Sequence, residues 1–66
     1  MKISLNGDPK ELSAAVTLQQ LLDDLGIPSG RVACEVNLKI IKRAVYPDTL
    51  LQEGDTVEII QAIGGG

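Results

Sequence analysis

The clearest reactive group in the sequence is the α-carboxylate of Gly66, which follows Gly64 and Gly65 at the end of the chain. A terminal carboxyl group has a pKa of about 3.3–3.7 and is therefore ionised at neutral pH. A carboxylate becomes a good acyl donor only after one oxygen is made a leaving group, and adenylation with ATP is the usual route. The acyl-adenylate can then accept a sulfur or nitrogen nucleophile. The sequence therefore predicts acyl activation at Gly66, carried out by a partner enzyme.

The three glycines also suit delivery of this carboxylate into another protein's active site. Residues without a Cβ reach backbone angles and narrow passages that are closed to other residues. Three extended residues project roughly 10 Å beyond the preceding strand, at about 3.3–3.6 Å per residue. We therefore expect a flexible tail over residues 64–66. The alternatives are an ordinary frayed terminus and a remnant of cloning.

Other catalytic chemistry is scarce in this chain. With no histidine and one cysteine, His-dependent nucleophile arrangements and zinc clusters are excluded. Cys34 alternates in phase with Val32 and Val36, which is typical of a small buried hydrophobic residue. The glycine run is not a phosphate loop because no lysine or helix follows it. We thus expect no bound cofactor and a protein that is a substrate or carrier rather than an enzyme.

Composition limits the possible partners and location. Sixty-six residues form one domain, and the net charge is −3 with a pI near 4.6. This acidic balance argues against nucleic acid, which requires a basic surface. The sequence contains no signal-peptide pattern or transmembrane run, so we expect no membrane association and a cytoplasmic location.

The first half of the chain predicts a hairpin and a helix. Strands are expected at residues 2–6 and 10–14, joined by a turn at residues 6–9. Thr17 and Gln20 have the spacing of a capping box, and Gly26 supplies a stop signal. Between them, an amphipathic helix is predicted over residues 17–25, with core leucines at helical spacing: Leu18, Leu21, Leu22 and Leu25.

The second half predicts three more strands. Alternation predicts a strand over residues 31–37, which is followed by a turn at 37–39 and a short strand at 40–41. One helical turn is then expected from Tyr46 to near Leu51. A strand over residues 56–63 closes the chain and is expected beside the first strand, in parallel, at the centre of the sheet. The fold class is α+β: a ubiquitin-like β-grasp with a mixed four- to five-stranded sheet and one main helix. Its domain spans residues 1–63.

The whole chain resembles the thiamine-biosynthesis sulfur carrier (ThiS) family. The resemblance lies in the ordered set of the Asn6-Gly7 turn, the motif at residues 17–22, Val36-Asn37 before residues 40–43, the stretch 51–59 and the ending 61–66. Lys42 departs from the family, which often has proline there. The resemblance implies that an adenylyltransferase activates Gly66 and that a persulfide donor (a sulfurtransferase) converts it to a thiocarboxylate. Thiazole synthase then takes the sulfur.

If Val57 and Ile59 are core, Ile60 and Ala62 lie on the other face of the last strand and are candidates for partner binding. The alternative is that both are ordinary surface residues. Three other functions remain open: the small subunit of molybdopterin synthase, whose chains are usually longer; a ubiquitin-like protein modifier; and a β-grasp interaction module.

Overall fold

The structure, a computed structural model, describes residues 1–61. A five-stranded sheet, in the order β2-β1-β5-β3-β4, carries one α-helix. The predicted order of strands and helix and the β-grasp arrangement are confirmed, with β5 parallel to β1 and central. The elements are β1 (Lys2–Leu5), β2 (Asp8–Glu11), α1 (Leu18–Leu25), β3 (Val32–Val36), β4 (Lys39–Ile41) and β5 (Thr56–Gln61), with 3-10 helices at Ser29–Arg31 and Arg43–Asp48.

The first hairpin is tighter than the sequence suggested. Asn6 and Gly7 both have positive φ, 51° and 88°, as a two-residue type I′ hairpin turn requires. β2 therefore begins at Asp8, and the predicted strand at residues 10–14 was placed too late. Pro9 lies within β2, opposite Ser4. Proline is tolerated there because β2 is an edge strand.

Helix α1 begins and ends at the predicted signals. The Gln20 backbone N–H donates to Thr17 Oγ1 at 3.1 Å, and the Thr17 N–H donates to Gln20 Oε1 at 2.8 Å. Gly26 ends the helix with φ of 72°, a left-handed conformation that glycine adopts without strain. One detail of the prediction was wrong: Leu25, expected in the core, is the last residue of the helix and is exposed.

The segment before β5 also differs from its prediction. The expected helical turn from Tyr46 to near Leu51 is instead a 3-10 helix at Arg43–Asp48. Its backbone bonds run from Val45 to Lys42 and from Thr49 to Tyr46. Short 3-10 helices are common connectors between strands, and this one places the Tyr46 ring in the core.

The core lies between one face of the sheet and the segments that cover it. Leucines of α1 and Tyr46 meet the inward residues of the central strands. The buried cluster consists of Ile3, Leu12, Leu18, Leu21, Leu22, Val32, Cys34, Tyr46, Leu51, Val57 and Ile59. Since these side chains all lie on one side of the sheet, the other face is left open in residues 1–61. We call this second surface the open face.

Candidate functional site

Strand β5 leads toward the predicted reactive end of the chain and is held from both sides. It pairs in parallel with β1 and, over five residue pairs, antiparallel with β3. Beyond the end of β1, the Asn6 side chain continues the pairing: the Ile59 N–H donates to Asn6 Oδ1 at 2.7 Å. β5 is therefore a rigid base for whatever follows Gln61.

The two faces of β5 divide as the sequence predicted. Val57 and Ile59 are buried in the core. Ile60 lies on the open face with 53% of its surface exposed. Its predicted companion Ala62 lies outside the described residues, as do the strand end at residue 63 and the tail Gly64, Gly65 and Gly66. The described part of the chain therefore places one of the five predicted site residues.

The neighbours of Ile60 on the open face were not singled out from the sequence. Across β3, Ala33 lies opposite Ile60, and Glu35 lies opposite Glu58. On the edge strand β4, Ile40 lies opposite Glu35 and is 78% exposed. Because successive side chains of a strand point to opposite faces of the sheet, the sequence does indicate the face on which each of these residues lies. The pairing register, which brings the two glutamates together, depends on long-range contacts that a single sequence does not reveal.

A shallow groove of about 330 Å³ lies beside Gln61, the last described residue of β5. Its walls come from the end of α1, the start of β3 and the end of β5. The lining residues are Gly26, Ile27, Pro28, Arg31, Val32 and Gln61. Among these described lining residues, Arg31 is the one charged residue, and none is a nucleophile or a general base. The part of the groove formed by residues 1–61 therefore offers shape rather than catalytic groups.

Cys34 is fully buried, as predicted. Burial raises the pKa of its thiol, although a hydrogen bond with Tyr46 and the positive charge of Arg43 act in the opposite direction. Burial and the same hydrogen bond raise the pKa of Tyr46 to about 12. A protonated, inaccessible thiol is a poor nucleophile, because the thiolate is the reactive form. This geometry does not suit Cys34 for sulfur transfer.

Within residues 1–61, no group of three or more potential ligands is arranged to hold a metal ion. In the same range, no helix is long and apolar enough to cross a membrane. What the described residues offer is a rigid strand, an open face with apolar and acidic side chains, and a buried thiol. Such an arrangement can present a chain end and bind a partner.

The model of the ThiS family matches residues 3–66 of this chain. The chain belongs to the ThiS family. A crystal structure of the ThiS protein from Geobacter metallireducens superposes with a TM-score of 0.88 and 28% identity, each chain being covered completely. The resemblance proposed from the sequence and the predicted β-grasp fold are thereby confirmed.

The similar proteins include both small carrier proteins and much longer synthases. The sulfur carrier protein ThiS of Thermus thermophilus is 34% identical over 62 residues, which cover 94% of this chain and 95% of that protein. Thiazole synthases of Paramagnetospirillum magneticum and Magnetococcus marinus are 41% and 44% identical over all 66 residues. The chain spans only 20% of the length of each synthase. ThiS-family sequences therefore occur both as small proteins and within long polypeptides.

Proposed function

We propose that this chain is a sulfur carrier of thiamine biosynthesis that carries sulfur as a thiocarboxylate on Gly66. The observation that carries the proposal is that the ThiS-family match runs through Gly66. The name of the small Thermus relative supports the same role. A rigid β5 followed by three glycines in the sequence suits a chain that presents its end to successive enzymes.

The proposed cycle begins with a partner adenylyltransferase. The Gly66 carboxylate oxygen attacks the α-phosphorus of ATP, forming the acyl-adenylate and releasing pyrophosphate. The terminal sulfur of a persulfide donor then attacks the acyl carbon, and AMP leaves. A thiol reductant cleaves the resulting acyl disulfide, which leaves a thiocarboxylate on Gly66 and a new disulfide on the donor. No step uses a catalytic side chain of this protein, so its role is that of a co-substrate.

The proposed sulfur acceptor is a thiazole synthase. Two relatives with this name contain a sequence similar to the whole chain, which favours a functional link between the two units. The thiocarboxylate sulfur is a good nucleophile: it would attack an electrophilic carbon of the acceptor to form a thioester. Water would then attack the acyl carbon, which breaks the C–S bond, leaves the sulfur on the acceptor and returns Gly66 to a carboxylate. Membership of the ThiS family favours this acceptor over molybdopterin synthase.

Partner enzymes are proposed to dock beside the tail, on Ile60 and Ala62. Ile60 is a large apolar side chain exposed on the open face, and Ile40 and Ala33 are also exposed on that face. Apolar side chains surrounded by polar ones are typical of the centre of a protein interface. The docking role of Ala62 rests on the sequence alone.

The proposal is tested by two changes at the chain end: adding one alanine after Gly66, and Gly65→Val. The extension moves the carboxylate by roughly 3.3–3.6 Å, whereas reaction requires atoms about 3–3.5 Å apart. A Cβ at position 65 obstructs a narrow channel or restricts the backbone. Both variants should lose adenylation, measured as ATP–pyrophosphate exchange with the activating enzyme.

The melting temperature of both variants should stay unchanged, because the buried core of residues 1–61 is built from other side chains. Glu11→Gln is the control. Glu11 lies on the edge strand β2, more than fifty residues before Gly65, and the variant should be adenylated normally. Normal adenylation of the extended protein would overturn the carrier function and leave a β-grasp interaction module in its place.

A further inference from the structure

We propose that the Glu35–Glu58 pair on the open face binds a positively charged side chain of the thiazole synthase. This inference rests on the proposed function, since it concerns the acceptor in the final sulfur-transfer step. Besides the tail and Ile60, it names a further docking contact, in which one lysine or arginine of the synthase bridges the two carboxylates.

The two glutamates face each other without a compensating charge. They are directly opposite in the antiparallel pairing of β3 with β5, where Cβ atoms lie about 4.5–5.5 Å apart. Like charges in this position destabilise a sheet. Within residues 1–61, the single ion pair joins the N-terminal amine to Glu11, so neither glutamate has a cationic partner there. A cation from another protein would relieve this repulsion.

Apolar side chains flank the pair on both sides. Ile40 lies opposite Glu35 on the edge strand, and Ile60 follows Glu58 by two residues on the same face. Ile40 and Ile60 are more than half exposed, whereas both glutamates are half-buried. When a partner covers the isoleucines, water is excluded from the carboxylates, and a charge-assisted hydrogen bond strengthens in the lower dielectric. Flanking contacts that exclude water are typical of the surroundings of an interface hot spot.

A thiazole synthase is the occupant that the relatives favour. In two synthases, a sequence 41% or 44% identical to this chain forms part of a polypeptide of which it spans one fifth. Units joined in one polypeptide have a high effective concentration and meet often, which favours the synthase as the protein that this surface encounters. The net charge of −3 adds a long-range attraction toward a basic surface.

The decisive variant is Glu58→Lys, because the proposal predicts opposite effects on stability and on binding. In the free protein it places an opposite charge beside Glu35, so the melting temperature should rise. In the complex it repels the partner's cation, so the dissociation constant should rise at least about tenfold. Binding of the unloaded, full-length chain to the thiazole synthase of the same organism is measured by calorimetry at two salt concentrations, with the melting temperature recorded in parallel.

Asp24→Lys is the matched control. Asp24 is exposed on α1, away from the open face, and its substitution changes the net charge by the same amount. Its dissociation constant should stay within about twofold of the wild-type value at the higher salt concentration, where long-range effects are screened. An equal loss of affinity in both variants would reduce the contact to general charge attraction and overturn the proposal.

Three other results would also overturn the inference: unchanged affinity of Glu58→Lys, a lowered melting temperature of that variant, or no binding of the wild type to the synthase. None of these results bears on the proposed sulfur loading of Gly66, because loading is measured separately, as a change in the intact mass of the protein. Conversely, a chain that binds through the glutamate pair but never accepts sulfur would refute the proposed function alone.

Discussion

At the scale of single residues, Cys34 and Leu38 are each found in an environment that their residue type alone would not indicate. Cys34 is the sole cysteine of a chain proposed to carry sulfur, yet it is fully buried beside Tyr46 and its pKa is raised. Leu38 is the opposite case: a large apolar side chain, 85% exposed, at the tip of the β3–β4 turn. Cys34 leads to a prediction that separates stability from function, and Leu38 leads to a prediction about stability.

Cys34→Ala should be loaded with sulfur at Gly66 as fast as the wild type. The smaller side chain leaves a space in the core, so the free energy of unfolding should fall by about 1 kcal/mol. Chemical denaturation and the rate of sulfur loading measure the two effects. A folded Cys34→Ala protein that accepts no sulfur would assign the thiol a direct role and contradict its structural one.

Leu38→Gly should stabilise the protein. Leu38 has φ of 69°, a left-handed conformation that costs a residue with a Cβ roughly 1–2 kcal/mol. Glycine adopts it freely but loses more chain entropy on folding, about 0.5–1 kcal/mol. A net gain of about 0.5–1 kcal/mol is therefore expected in urea denaturation.

The control for Leu38→Gly is Lys39→Gly, one residue further along and within β4. That change removes a strand side chain without relieving any left-handed backbone, so it should destabilise the protein. Equal destabilisation by both substitutions would show that the backbone at residue 38 is not strained.

At the scale of elements, β5 combines two tasks because its faces alternate. Val57 and Ile59 anchor it in the core, while Glu58 and Ile60 are presented on the open face. The antiparallel neighbour of β5 in the sheet, β3, repeats this division, with Cys34 inward and Glu35 outward. The strand that completes the core therefore also presents the side chains of the proposed docking surface on the open face.

Ile60→Asp should weaken partner binding while leaving the fold intact. If Ile60 makes the proposed apolar contact with the adenylyltransferase and with thiazole synthase, the substitution removes it, and both dissociation constants should rise about tenfold. Stability should fall by no more than about 1 kcal/mol, since aspartate is a poor strand residue. Equilibrium binding and thermal melting are the measurements.

Val45→Asp introduces the same charge at another exposed apolar residue, in the 3-10 helix rather than on the open face. It should leave both affinities unchanged. Unaltered binding of Ile60→Asp to both enzymes would remove the docking role of this residue, and its failure to fold would show that Ile60 supports the core.

At the scale of the whole molecule, most local signals and one long-range pairing, that of β5 with β1, were predicted correctly from the sequence. The Thr17–Gln20 capping box, the Gly26 stop and the Val57–Ile59 alternation each lie within a few residues, and each is found as predicted. The position of β2 was wrong because one residue pair, Asn6-Gly7, completes the turn that had been assigned four residues.

The candidate site was only partly predictable, because alternation along one strand can be read from the local sequence whereas the register between two distant strands cannot. The exposure of Ile60 follows from alternation along one strand. The apposition of Glu35 with Glu58 depends on the register between β3 and β5, which is set when the whole core packs. In a protein without a disulfide, that packing rests on aliphatic side chains and one tyrosine.

The central claim, that Gly66 carries the sulfur, is tested most directly by the intact mass of the wild-type protein. The protein is incubated with ATP, the activating enzyme, a persulfide donor and a thiol reductant, and fragmentation then locates any change. We expect one oxygen to be replaced by sulfur at Gly66, with Cys34 unmodified. An unchanged mass, or sulfur found on Cys34 instead of Gly66, would contradict the proposed function.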